Sequence, residues 1–304
     1  MFFFFYFNDM EDEIYDFCLN QYNDAYNNIK AKLTGEVDNV TQQKATEIET
    51  TSQLQAIKET MILGRQKYPS QEPVLWRGIY RAHLYRKSGI KDLTIVSRVI
   101  QADQSWKSSS GHAFEEMVKE LGTLALSGTG IKYILQRDLN VLLKANELAN
   151  QPTDIAWLEK QVKSSVFDAY VVADIKVIND NTNQVEVKPI CFGCVQCKTS
   201  IRDRVSRDIV PSREAMLSKF WSTGFVLDGT MFKVPKYKNM VNGNIESEFK
   251  KNGWHGMYIL SGNSNNDRIY EVDLNFDIVR EHTIKAFNDW HKDRMGFTLE
   301  WRAD

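Results

Sequence analysis

Read for reactive side chains, the 304-residue sequence offers one acid–lysine pair that a simple strand pairing brings together. Phe167 to Ile178 is β-branched and aromatic, which predicts a strand. Asn179-Asp180-Asn181-Thr182-Asn183 is a turn cluster, and a second strand follows from Gln184 through Lys198, with Pro189 and Gly193 marking an edge or a bulge. A turn centred near residue 181 sets Gln196 against the stretch from Ser165 to Asp168. Side chains alternate along a strand, so Cys194, Gln196 and Lys198 share one face. An acid at the start of one strand then meets a polar-x-Lys pair at the end of its partner. Such a cluster can hold Mg2+ through the carboxylate while the lysine positions a water or offsets phosphate charge. Asp168 and Asp174 have the same strand parity. The pairing favours Asp168, because Asp174 falls opposite Lys188, where a salt bridge on the sheet surface accounts for it.

The residues after the lysine suit base reading. Arg grips guanine O6 and N7 bidentately and Asp accepts from cytosine N4, so Arg202-Asp203-Arg204 is a chemically sensible reader of adjacent G·C pairs. From Lys198 to Lys219 the basic residues Lys198, Arg202, Arg204, Arg207, Arg213 and Lys219 outnumber the acids Asp203, Asp208 and Glu214. A charged, solvated helix start has the same composition. The rival chemistry is Cys191-x-x-Cys194-x-x-Cys197, which suggests zinc or an iron–sulfur cluster. On a regular strand Cys191 and Cys197 face one way and Cys194 the other, so the three cannot converge on one metal, and small apolar cysteines are expected. His112 and Trp106-Lys107 are read as structural or DNA-contacting, and Ser261 to Asp267 as a polar hairpin loop.

Positioning these groups requires a sheet backed by helices. Ile14, Phe17, Cys18 and Tyr22 recur at helical spacing, as do Leu54, Ile57 and Met61. Asp38 to Ser52 reads as a solvated helix or a loop, and Leu75 to Arg86 as another helix. Ser110-Gly111 predicts the start of a helix over 112–126, and Asp154 or Thr153 caps one over 155–163. A helix after Pro211, strands near 225–234, 257–260 and 269–276, and a helix over 278–291 complete the pattern. The fold class expected is α/β, a mixed sheet flanked by helices, with a helical N-terminal region over 1–95 and the core over 96–304.

Composition narrows the function. With 42% hydrophobic residues, 7 Trp, 12 Tyr and 16 Phe the chain can bury a core, and no apolar run approaches the ~18 residues of a membrane span. A net charge of −2 excludes a global polyanion-binding surface, so a nucleic-acid site must be a local patch. Met1 to Phe7 is nearly all aromatic but has no basic flank and runs into acids, so it is expected to pack, for instance on a second subunit, rather than to direct export. The four cysteines then belong to a reducing cytoplasm.

Two blocks together carry a resemblance. Lys198-Thr-Ser-Ile-Arg-Asp-Arg204 resembles the Lys-Thr-(Thr/Ser)-x-(Arg/Lys)-(Asp/Glu)-Arg block of type II restriction endonucleases that read CC:GG steps, a branch of the PD-(D/E)XK nuclease superfamily. Ser109-Ser-Gly-His-Ala-Phe-Glu115 is similar to the same enzymes' helix signature, with one residue fewer before the Gly. The resemblance covers roughly residues 105–235. It implies a restriction-endonuclease-like core that cleaves double-stranded DNA with Mg2+, as a homodimer in the bacterial cytoplasm, within a restriction–modification system. It makes Lys198 the motif lysine, Arg202, Asp203 and Arg204 the base readers, and Glu115 a support of the metal site. Gln196 stands where the superfamily usually has an acid, and the branch relocates that acid to the following helix, where Glu214 is the candidate. Asp168 and Glu214 would hold the metal, although Asp174 gives the acid-to-lysine spacing commoner in the branch. The N-terminal region would serve dimerisation or flanking-DNA contacts. Alternatives are a DNA-binding regulator without cleavage and, from the cysteine run, a metal-cluster protein.

Overall fold

A computed structural model describes residues 9–37, 39–179, 183–200, 205–261 and 266–304. The aromatic run at the start, the tip of the central turn, the Arg202-Asp203-Arg204 triplet and most of the loop after Ser261 lie outside the described residues. The chain divides into two compact units, Met1–Ser105 and Trp106–Asp304.

The first unit is helical: α1 (Asp9–Gly35), α2 (Gln42–Lys67), α3 (Glu72–Ser88) and the beginning of α4 (Leu93–Ala125). On α1, Ile14, Cys18, Tyr22 and Tyr26 recur every fourth residue and are all buried. They meet Ala56 of α2 and Leu75, Ile79 and Ala82 of α3 in one cluster. The α2 side of the packing is built from small groups (Ser52, Ala56, Thr60, Gly64), and a Cβ on Gly64 would lie 2.5 Å from Leu75 Cδ2, so the helices approach too closely for a larger residue. The polar stretch before Ser52 is helical from Gln42, with Thr41 as N-cap.

The second unit is built on a six-stranded mixed sheet in the order β1-β2-β3-β4-β5-β6. The strands are β1 (Ile131–Leu135), β2 (Ala169–Asn179), β3 (Gln184–Ser200), β4 (Trp221–Asp228), β5 (Gly256–Ile259) and β6 (Ile269–Glu271). The first three pair antiparallel and the last four run parallel. The remaining helices are α5 (Gln136–Lys144), α6 (Pro152–Ser164), α7 (Val205–Leu217), α8 (Pro235–Asn242) and α9 (Asp277–Lys292). The strand centres are buried on both faces. Phe114 and Val118 of α4 and Val279, Ala286 and Trp290 of α9 share a cluster with Val195, Cys197, Phe225 and Tyr258. On the opposite face, α5, α6, α7 and α8 cover Tyr170, Cys194, Val226 and Met257. The result is a three-layer α/β core, with the helical N-terminal region that the hydrophobic periodicity foretold.

Several local expectations change. Ser110 and Gly111 start no helix; they lie inside the continuous α4. The strand expected over 225–234 ends at Asp228 and is followed by a 3-10 turn at Thr230–Lys233 and by α8. The α7 helix begins at Val205 and carries Pro211 inside it. The hairpin contains the anticipated bulge: Val171 pairs with Gly193 and Val172 with Cys191, leaving Phe192 extra. That extra residue moves Cys191 onto the same face as Cys194, so the face expected for Cys191 is corrected: these two share one cluster and Cys197 lies in the other.

Candidate active site

Strand β3 delivers Lys198 near its C-terminal end, and the chain crosses over through α7 to return as the parallel neighbour β4. The ends of parallel strands beside such crossovers are where open α/β sheets place their ligands. Asp168 immediately precedes β2, fixed by its own N–H donating to the Val195 carbonyl at 2.9 Å. Its carboxylate accepts from the Cys197 amide at 2.6 Å, which aims it at the neighbouring lysine. Lys198 Nζ lies 3.5 Å from Asp168 Oδ2 and 3.9 Å from Asp208 Oδ1, the latter in the first turn of α7. All three side chains are partly buried, at 33% exposure for Lys198, 21% for Asp168 and 25% for Asp208.

Burial alone would lower the Lys198 pKa, but Asp168 and Asp208 outweigh it and hold the ammonium above its ordinary value. Asp208 is pushed up, first by burial and then by the charge of Asp168, against the pull of Lys198. Two carboxylates thus share a single cation. Hard oxygen donors crowded in this way suit a divalent cation such as Mg2+, and Asp168 and Asp208 are the residues that would hold one. Among the described residues no three His, Cys, Asp or Glu side chains cluster closely enough to form a metal site by themselves.

The other residues singled out by sequence are distributed as follows. Glu115 sits on α4 with His112 Nδ1 at 3.2 Å from its Oε2. After burial, the charges of Asp168 and Glu115 push the Cys197 thiol up, so Glu115 acts on the residue whose amide holds Asp168. Gln196 is buried and points to the same side as Lys198, with its amide engaged inside the protein. Glu214 is exposed on α7. Six residues beyond Asp208, it lies about 120° around the helix and ~9 Å along it. Asp174 is exposed and pairs with Pro189, far down the hairpin. The structure therefore brings together Asp168, Lys198 and Asp208, the last counted in the sequence only as one acid in a basic segment. Cys191, Cys194 and Cys197 are free and buried, and burial pushes each thiol well up, which makes them inert apolar side chains.

A mixed sheet with two acids and a lysine gathered at the C-terminal end of its central strand β3 defines a restriction-endonuclease-like nuclease core. The family model for the BsaWI restriction endonuclease type 2 matches residues 154–295. The restriction endonuclease BsaWI, solved in a pre-specific complex with DNA, is 40% identical, with 95% of this chain and 98% of that chain covered and a TM-score of 0.77. This chain belongs to the BsaWI family and is a type II site-specific endonuclease. The restriction endonuclease AgeI, solved in a specific complex with DNA, aligns over 90% of this chain and 91% of that chain at 16% identity, with a TM-score of 0.38. No curated protein sequence matches the chain. Among the described residues no helix is long and apolar enough to cross a membrane.

Proposed function

We propose that the chain hydrolyses double-stranded DNA in a Mg2+-dependent manner at a site containing a CC:GG step. The observation that carries this reading is the convergence of Asp168 and Asp208 on Lys198 at the C-terminal end of β3. Asp168 and Asp208 would hold the divalent cation, which would supply positive charge to acidify a water and offset charge developing on the phosphate. Lys198, kept protonated by its acidic neighbours, presents a fixed charge to a phosphate oxygen. The Cys197 amide fixes the direction of Asp168, and Glu115 supports the same corner from α4.

Arg202, Asp203 and Arg204 follow the lysine strand directly, and in this reading they enter the major groove as readers of adjacent G·C pairs. A palindromic site calls for two active sites related by a two-fold axis, so the working form is a homodimer. The N-terminal helical unit contributes to that interface or to flanking DNA. The setting is the bacterial cytoplasm, as one arm of a restriction–modification system. Sequencing the cut ends of a plasmid digested in Mg2+ tests the reading. Cuts confined to sites sharing CC:GG are expected; cuts without that step in common refute the specificity, and specific binding without cleavage would leave a regulator.

A further inference from the structure

Gln196 occupies the strand position two before Lys198, and its side chain is 2% exposed. Its Nε2 donates to the Val166 and Asp208 carbonyls, each at 3.3 Å, and its Oε1 accepts from the Trp254 indole N–H at 2.8 Å. Val166 lies two residues before Asp168. One buried amide therefore ties together the backbone leading into the first acid, the backbone of the second acid and the strand that carries the lysine. Trp254 is buried in turn, and its carbonyl accepts from Asn252 Nδ2 at 3.0 Å. The residue paired with Gln196 on β4 is Gly224, where a Cβ would meet Met257 Sδ at 2.6 Å. A side chain at that position would have to displace Met257. A cavity of about 10 Å3 remains between Gln196, Lys198, Asp208 and Trp254, scarcely room for one water.

We propose that Gln196, locked by Trp254, is a positioning residue that sets the spacing of Asp168 and Asp208 around Lys198. This rests on the reading of those three groups as the reacting cluster. The site needs two donors and one acceptor, and only an amide offers both at this length. A carboxylate at 196 would turn oxygens against the carbonyls of Val166 and Asp208 and leave an unpaired buried charge. The expectation is therefore the opposite of that for a metal ligand: Gln196→Glu slows the enzyme.

The test uses the full-length enzyme and duplex DNA carrying its site, with Gln196→Met, Gln196→Glu, Trp254→Phe, the Gln196→Met/Trp254→Phe double variant and Lys198→Ala. Single-turnover cleavage, Mn2+ affinity of the enzyme–DNA complex by electron paramagnetic resonance, DNA Kd and melting temperature are measured on each. Gln196→Met, Gln196→Glu and Trp254→Phe each slow cleavage ~10–100-fold and weaken Mn2+ binding, as loss of a residue that orients ligands does, while DNA Kd stays within about twofold. The double variant is no slower than its slower parent, since both changes break one unit. Folded Gln196→Met and Trp254→Phe variants with wild-type rates and Mn2+ affinity, beside a dead Lys198→Ala, overturn the positioning role. So does Gln196→Glu cleaving as fast as wild type. A fully active Lys198→Ala overturns the catalytic reading itself, and the inference with it.

Discussion

Replacing Asp168 or Asp174 by Asn separates two candidate acids of equal strand parity. Six strand residues at ~3.3 Å each put them ~20 Å apart, more than two Debye lengths at physiological salt. Asp174 thus has no electrostatic reach to Lys198. Asp168→Asn keeps an oxygen for the Cys197 amide but turns a charge-assisted bond into a neutral one, a loss of about 1 kcal/mol. It also removes a partly exposed ion pair with Lys198, worth ~0.2–1 kcal/mol. The stability cost of ~1–2 kcal/mol lowers the melting temperature by a few degrees, and the protein stays folded. Cleavage responds differently: losing one pre-aimed charge at the reacting centre costs ~10²–10³-fold or more in rate, about 2.7–4 kcal/mol. Asp174→Asn, on an exposed side chain, changes stability by less than ~0.5 kcal/mol and leaves the rate near wild type. The assay is Mg2+-started single-turnover cleavage beside thermal melts. An active Asp168→Asn together with a folded but inactive Asp174→Asn refutes the assignment.

Three further outcomes are expected. On α7, Asp208→Asn abolishes cleavage and Glu214→Gln leaves it within about twofold; a reversed pair would place the second acid at Glu214, and single-turnover rates decide. Arg202→Ala and Arg204→Ala each lose ~1–3 kcal/mol of discrimination for the cognate duplex over one mismatched base pair; equal loss of affinity for cognate and random DNA would assign the triplet to phosphate instead. Buried His255, whose Nδ1 accepts from the Ser222 amide at 3.1 Å, is held down to about 3 by desolvation. The unfolded chain binds this proton near pH 6.5, so its contribution to stability falls as pH drops from ~6.5 towards 3, by up to ~1.4 kcal/mol per pH unit. His255→Gln, which carries no titratable group, flattens that slope in urea titrations at pH 7, 6 and 5, and an unchanged slope contradicts it.

The hairpin was legible in the sequence because two period-2 runs flank a polar turn, and alternation alone placed Gln196 and Lys198 on one face. Its register was legible only to within a residue or two: the pairing expected for Asp174 was Lys188 and the observed partner is Pro189. The bulge that absorbs Phe192 was suggested by Gly193, but its effect on Cys191 depends on which residue is extruded, which packing decides. Helix α4 was misread at its start because Ser110-Gly111 resembles a cap, whereas 33 residues of continuous helix override that local preference. The short β1 and α5 gave too few residues for a period. Asp208 went unsingled because the block of basic residues around it reads as a solvated face. The signal that could have found it is the buried series Ile209, Ser212, Ala215 and Met216, which turns the first turn of α7 toward the sheet and sets Asp208 at its edge.

The central claim is that Asp168, Lys198 and Asp208 form a cluster that cuts DNA. It is tested most directly by mixing enzyme with a duplex carrying its mapped site, starting the reaction with Mg2+, and comparing wild type with Lys198→Ala in a single turnover. Wild type is expected to cleave with Mg2+ and to stop in EDTA, while Lys198→Ala binds the duplex with similar affinity and does not cleave. Cleavage by Lys198→Ala at the wild-type rate, or wild-type cleavage undiminished in EDTA, would contradict the account.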